Sequence, residues 1–318
     1  MNAKYAIIDI GSNTVKLNIY SVTKEEGKLP VTETLISQST PVGLINYIVN
    51  GSLSEEGKER LIDVVSGYAA LASDLNCCET LCAATAALRA VSNGNEVSEE
   101  IRNRTQCKFI IITGEEEAAL SFEAVMKSCK NPPQTGFVID MGGGSTEIVG
   151  FSEGSPKDKI SLPFGCLVLH NRFVSSVLPT RKELSLIASS VDVELKRAPW
   201  IKKYGTTAFL VGGTARAVGK LWCDETGKRL TNGQEIEVSE LQSLYNKYAI
   251  PGKKKIMNMI RVIPDRLHTV IPGLAGYLRI FRAAGIRTVV ISFAGVRDGL
   301  ILRKADQLAE RMKNDEQG

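Results

Sequence analysis

The sequence predicts an α/β fold built from two related halves, and three observations carry that expectation. Apolar runs of strand length alternate with amphipathic helical stretches along the chain. One phrase is written twice, as YAIIDIGSNTVKLNIY at residues 5–20 and as FVIDMGGGSTEIVGF at residues 137–151. Its two aspartates, Asp9 and Asp140, lie 131 residues apart, a domain-sized period too long for a solenoid. A length of 318 residues with 43% hydrophobic content supplies core for about two domains.

Taken in order, residues 5–10 and 15–21 read as strands joined by the turn Gly11-Ser12-Asn13, apolar in the first and alternating in the second. Ser54 and the glutamates behind it open an amphipathic helix over 54–75. A strand at 81–84 leads to a helix from about Ala86, and a strand at 109–112 leads to a helix from Glu115. The polar, proline-containing stretch 127–135 reads as a linker and a hinge, so the expected domains are 1–125 and 126–318. The second domain restarts the phrase at Phe137. A strand at 159–162, helices across 166–200, a strand at 208–211 and a mixed helical stretch to Ala249 follow. A closing strand, turn and helix run through RTVVISFAGVRDGLILRKA, and the last helix is expected to pack back on the first domain. The terminal KNDEQG reads as a solvated tail.

Composition excludes several classes. Lys and Arg number 39 against 35 Asp and Glu, too slight an excess to argue for nucleic acid. The seven cysteines are an odd count in a long chain, so no disulfide framework is implied and a reducing cytoplasm fits. Cys77, Cys78 and Cys82 cluster, but a zinc site needs more ligands, and His170 and His268 are the only histidines. They read as core thiols. No leader-like start and no apolar run of about 18 residues is present, so neither export nor a membrane span is expected.

The repeated loop has a physical use. Glycine lets another group approach the backbone closely, and successive free N–H groups form an anion-binding concavity. Ser12, Asn13, Ser145 and Thr146 add side-chain donors. Asp9 and Asp140, at strand ends, would repel phosphate and so would instead hold a divalent cation, or water around it, that bridges to phosphate oxygens. Neither loop is a P-loop or a dinucleotide fingerprint, because both of those open a helix and strand follows here. Gly212-Gly213-Thr214 is a third phosphate-type turn that does open a helix. Arg216 and Lys220 downstream read equally as a basic track or a solvated face.

The pieces IDIGSNTVKL, ATAALRAVSN, ITGEEEAALSF, VIDMGGGSTEIV, LPFGCLVL, VGGTARAV, IPGLAGYL and FAGVRDGLI, in this order, resemble the exopolyphosphatase/guanosine pentaphosphate phosphatase family almost end to end. That family sits in the actin-like ATPase superfamily. The resemblance implies two actin-like (ribonuclease H-like) α/β domains around a central cleft. It implies removal of a terminal phosphate by water, with Mg²⁺ or another divalent cation as cofactor. In GEEEA the family's catalytic glutamate falls on Glu117, and in ALRAVSN its arginine falls on Arg89. Asp140 and Glu147 become the metal candidates, with Asp9 assisting through water. Thr85, Gly142, Gly143, Gly144, Gly213 and Thr214 join Ser12, Asn13, Ser145 and Thr146 as phosphate binders. Glu115 and Glu116 remain ordinary first-turn acids that complement a helix dipole.

Two departures stand out. The family often has Arg-Ala-Asp where this chain has Arg266-Leu267-His268, and Gly-Thr where it has Ala84-Thr85. The chain also ends soon after FAGVRDGLI, as a short two-domain member would, which predicts a weaker hold on very long polymers. The expected substrate is polyphosphate, with guanosine pentaphosphate as the alternative within the same chemistry. A kinase of the sugar- or acetate-kinase type and a non-enzymatic phosphate sensor are the readings from other classes. A homodimer is one state the resemblance allows; nucleic acid and membrane are not expected partners.

Overall fold

The computed structural model describes residues 2–24 and 30–315, with side chains to residue 310. Its contacts divide the chain into two units, Met1–Leu120 with Val296–Gly318, and Ser121–Gly295. The division falls inside a helix rather than in the 127–135 stretch, which begins while that helix is still running.

In the first unit, β1 (Asn2–Ile10), β2 (Thr14–Thr23) and β3 (Val31–Pro41) form an antiparallel meander. A two-stranded ribbon, β4 (Ile48–Val49) and β5 (Ser52–Leu53), precedes helix α1 (Glu55–Asp74). Ser54 caps α1 by accepting from the Gly57 N–H, as its position before two glutamates predicts. Then come β6 (Glu79–Ala84), α2 (Ala86–Arg89), α3 (Gly94–Thr105), β7 (Lys108–Ile111) and the start of α4 (Gly114–Ser128). The sheet order is β3-β2-β1-β6-β7, with β6 parallel to both β1 and β7. Its central strands read as nearly continuous buried runs because both faces are covered.

The second unit repeats the plan. β8 (Thr135–Met141), β9 (Thr146–Ser152) and β10 (Ser155–Leu162) form the meander. Helices α5 (Cys166–Phe173) and α6 (Arg181–Leu195), strand β11 (Thr207–Val211) and helix α7 (Gly212–Thr226) follow. Next are β12 (Gln234–Glu237), α8 (Val238–Tyr248), α9 (Lys253–Val262), a 3₁₀ turn at Pro264–Arg266, α10 (Val270–Ala284) and β13 (Thr288–Ile291). The order is β10-β9-β8-β11-β13-β12. β12 falls within the stretch expected to be helical. A four-residue strand with one buried side chain, Ile236, carries no period to read, and its partner β13 lies some fifty residues on.

The last helix, α11 (Val296–Asp315), belongs to the first unit. Ile301 and Ala305 pack with Ala3, Tyr5, Ile7, Tyr20 and Val22. Lys304 pairs with Glu79 at 2.9 Å. The Tyr20 hydroxyl donates to Asp298 Oδ1 at 3.0 Å. Burial, then the Asp298 charge, push the Tyr20 phenol far above its usual value, so it stays a donor. Of the expected solvated tail, residues 316–318 lie outside the described residues, and the backbone of 313–315 continues α11. Among the described residues no helix is long and apolar enough to cross a membrane.

The seat of α11 is tight at Gly299, where an added Cβ would lie 2.4 Å from the Leu120 carbonyl oxygen. Gly299→Ala should therefore lower the stability of the first unit by about 1–3 kcal/mol, the usual cost of overpacking. Chemical denaturation checks this, and an unchanged midpoint would mean that α11 is not seated there.

Candidate active site

In the first unit the three glutamates of GEEEA have three different surroundings. Glu116 is a cap: its carboxylate accepts from the Thr113 N–H at 2.8 Å, while the Thr113 hydroxyl accepts from the Glu116 N–H at 3.1 Å. Glu115 is exposed. Glu117 alone is buried, and its Oε2 accepts from Arg89 Nη1 at 3.1 Å. Arg89, at the end of α2, also donates to the Ile112 carbonyl at 2.9 Å. One guanidinium thus fixes a buried carboxylate against the strand end from which its helix starts.

The two repeated loops close with the same bond. The Gly11 N–H donates to the Thr14 carbonyl (3.1 Å), and the Gly142 N–H donates to the Ser145 carbonyl (3.0 Å). In each loop the carbonyls are drawn into protein. Ser12 and Asn13 accept from the N–H groups of Ile45, Val42 and Gly43. Gly142 and Gly143 accept from Cys166, Leu167 and Val168 at the start of α5. Gly165 permits that approach, since a Cβ there would lie 2.5 Å from the Gly142 carbonyl oxygen. With the carbonyls so occupied, the amide groups of Gly143 and Gly144 are suited to an anion. Ser12 and Ser145 are buried in their loops, and Asn13 is half-buried.

What stands opposite each aspartate differs. Asp140 pairs directly across the ladder with Glu147, which sets two acids on one face of the sheet. Both are buried, at 9% and 2% exposure. Asp140 Oδ2 accepts from Ser121 Oγ at 2.9 Å, and Glu147 Oε1 accepts from Ser161 Oγ at 2.7 Å. Asp9 instead pairs across the ladder with Lys16, and Arg297 Nη1 of α11 lies 3.9 Å from its Oδ2. Asp9, expected to assist a metal through water, thus has Lys16 and Arg297 of its own unit as cationic neighbours.

Two of the expected phosphate binders are hydrogen-bonded within the protein. The Thr146 hydroxyl, fully buried, donates to the Phe164 carbonyl at 2.6 Å, and the Thr85 hydroxyl donates to the Ile10 carbonyl at 3.3 Å. In this arrangement both side chains brace their loops. Thr214 is different: it is 2% exposed and, among the described residues, its hydroxyl has no hydrogen-bond partner. It stands in the first turn of α7 beside Gly213.

Arg266 lies over that turn, with its Nη2 2.5 Å from where a Gly213 Cβ would stand. Lys16 and Arg266 were not singled out from sequence. The signal for Arg266 was its place in the departing Arg266-Leu267-His268 stretch; Lys16 was marked only by alternation in β2. His268 packs edge-on against His170, centroids 5.2 Å apart. Burial, then the His170 ring and the Arg266 charge, hold its imidazole below the usual value.

The donor set at Asp140 and Glu147 suits a hard cation. Mg²⁺ is usually held by one or two carboxylates, with water and substrate phosphates completing the shell. Among the described residues no group of three or more His, Cys, Asp or Glu side chains gathers as an all-protein cage. Gly212 keeps the space at Asp140 open: its φ is +93°, and a Cβ would stand 2.7 Å from Asp140 Oδ1. Gly212→Ala should cost about 1–3 kcal/mol in strain at such a backbone position. Gly213→Ala meets only the mobile end of Arg266 and should cost much less. Equal midpoints for the two variants in denaturant would contradict this reading of the turn.

Known proteins resemble this chain in sequence and fold. The profile of the Ppx/GppA phosphatase family matches residues 20–308. Exopolyphosphatase 1 of Mycobacterium tuberculosis is 24% identical over 317 residues, covering 96% of this chain and 90% of that protein. The crystal structure of an exopolyphosphatase from Cytophaga hutchinsonii superposes with a TM-score of 0.85 at 18% identity, over 96% of this chain and 98% of that one. The Aquifex aeolicus Ppx/GppA family member gives a TM-score of 0.79 at 24% identity, over 96% and 99%.

Proposed function

The chain belongs to the Ppx/GppA phosphatase family, and from that premise we propose that it is an exopolyphosphatase acting in the cytoplasm. The reaction is hydrolysis of the terminal phosphoanhydride bond of inorganic polyphosphate. The observation that carries the proposal is the buried Glu117 held by Arg89, the one acid of GEEEA that is neither a cap nor exposed. A kinase has no need of a fixed carboxylate for water. The described cysteines are all free thiols, in keeping with a reducing compartment.

In this reading Glu117 orients the attacking water and takes its proton. The water oxygen bonds to the terminal phosphorus as the bridging P–O bond breaks, and the shortened chain leaves with that bond's electrons. The amides of Gly143 and Gly144 and the side chain of Ser145 are the second unit's donors to phosphate oxygens, and the side chains of Ser12 and Asn13 are the first unit's. Thr214 and Arg266 hold the next phosphates at the start of α7. Arg89 keeps Glu117 in place and adds positive charge where the transition state spreads negative charge. Asp140 and Glu147 would hold a divalent cation, Mg²⁺ being the best fit to two carboxylates. Bound there, it would neutralise charge on the phosphate oxygens. Asp9, balanced by Lys16 and Arg297, keeps those cations in register with the first loop.

Phosphate release is the test, with long polyphosphate, tripolyphosphate, guanosine pentaphosphate and ATP offered in parallel and Mg²⁺ present. The account expects release from polyphosphate and a loss of about 10²–10⁴-fold in kcat for Glu117→Gln, the usual worth of a positioned acid–base group. Release from guanosine pentaphosphate alone would replace the substrate with the family's other one. No release from any substrate would overturn the enzymatic reading.

A further inference from the structure

Two residues of ALRAVSN have no part in the reaction as proposed. Ser92 and Asn93 follow Arg89, and Asn93 is the N-cap of α3. An asparagine at that position ordinarily accepts from the first N–H groups of its own helix, and this one does not. Both ends of its amide go instead to the backbone of one distant residue. The Leu53 N–H donates to Asn93 Oδ1 at 2.9 Å, and Asn93 Nδ2 donates to the Leu53 carbonyl at 2.9 Å. Ser92 adds to the same contact. Its N–H donates to the Gly51 carbonyl at 2.8 Å, its hydroxyl donates to that carbonyl at 3.2 Å, and it shares a hydrogen bond of 2.5 Å with the Ser52 hydroxyl.

The partner in this contact is the β4–β5 ribbon, which turns at Asn50-Gly51 with φ of 51° and 78°. A ribbon with two residues in each strand does not hold itself together in water. Its other end is tied to the first phosphate loop. The N–H groups of Val42 and Gly43 donate to the Asn13 carbonyl at 2.9 Å each, and that of Ile45 donates to the Ser12 carbonyl at 3.1 Å. A 3₁₀ turn at Leu44–Tyr47 then runs directly into β4. Helix α2 has the same need of support, since a single turn is too short to stand unaided. The Thr85 N–H fixes its start by donating to the Ile10 carbonyl. Ser92 and Asn93 fix its end by bonding to the ribbon. Gly94 allows the chain to fold back there, because a Cβ would lie 2.3 Å from the Leu88 carbonyl oxygen. The ribbon therefore joins the Ser12-Asn13 loop on one side to Arg89, and through it Glu117, on the other.

We propose that Asn93 is a positioning residue for hydrolysis. Through Leu53 and the ribbon it sets the place of the Arg89–Glu117 pair relative to the loop that takes phosphate. The inference rests on the exopolyphosphatase reading for its effect on rate, but not for its effect on structure. Removing the amide frees the ribbon and the end of α2 together, so the carboxylate and the phosphate loop lose register while each stays intact.

The test is a double-mutant cycle of Asn93→Ala with Glu117→Gln, read in the turnover of polyphosphate. Asn93→Ala alone should lower kcat by about 10–100-fold, the scale of a small misplacement of reacting groups. In the Glu117→Gln background it should lower kcat little further, because the carboxylate it positions is gone. Equal losses in both backgrounds would show a general structural effect and overturn the proposal, as would an unchanged kcat. Should Asn93→Ala not fold, Ser92→Ala, which keeps the backbone bond to Gly51, takes its place in the cycle with a smaller loss and the same dependence on Glu117. Amide hydrogen exchange reads the link without any activity. The N–H groups of Val42, Gly43 and Ile45 should exchange faster in Asn93→Ala along with that of Leu53. Faster exchange at Leu53 alone would overturn the link. If the wild type hydrolyses no polyphosphate, faster exchange at all four amides supports the link, and the parent reading alone falls.

Discussion

Two acids facing each other across one rung of a buried ladder are the constraint on which the second unit depends. Asp140 and Glu147 occupy directly paired positions, and cross-strand like charges are destabilising unless something answers them. Ser121 and Ser161 answer in part, each donating a hydroxyl to one carboxylate. Gly212 leaves room at Asp140, and the Gly142–Ser145 turn keeps the two strand ends in register. In the proposed function a divalent cation would balance this paired charge.

The first unit has the same hairpin and the opposite solution. Its aspartate faces Lys16 across the ladder, and α11 returns from the end of the chain to set Arg297 beside it. Tyr20 bonds to Asp298, Lys304 pairs with Glu79, and Gly299 fits against Leu120, so the helix that supplies Arg297 is held at three places. One hairpin carries its own cations and the other presents two anions. The repeated phrase thus does two jobs, divided by the residue seven places after the aspartate: Lys16 in one copy and Glu147 in the other.

The fold was legible where its causes are local. Both hairpins, α1 with its Ser54 cap and the turn that opens α7 follow from glycine, capping and apolar period. β3 and β12 were not legible. β3 is an exposed edge strand with Val31 and Leu35 in solvent, and β12 buries one side chain against a distant partner. The site divides the same way. Asp140, Glu147 and Glu117 stand out in sequence. The roles of Thr85 and Thr146 as braces, and the nearness of Arg266 to Gly213 and of Arg297 to Asp9, depend on contacts between residues far apart in the chain. No local pattern encodes those.

Mn²⁺ binding measured by electron paramagnetic resonance tests the asymmetry most directly, with the wild type compared to Asp9→Asn, Asp140→Asn and Glu147→Gln. The account predicts that Asp140→Asn and Glu147→Gln lose the ion while Asp9→Asn keeps it. Loss of the ion in Asp9→Asn to the same extent as in Asp140→Asn would contradict the division of labour between the two hairpins.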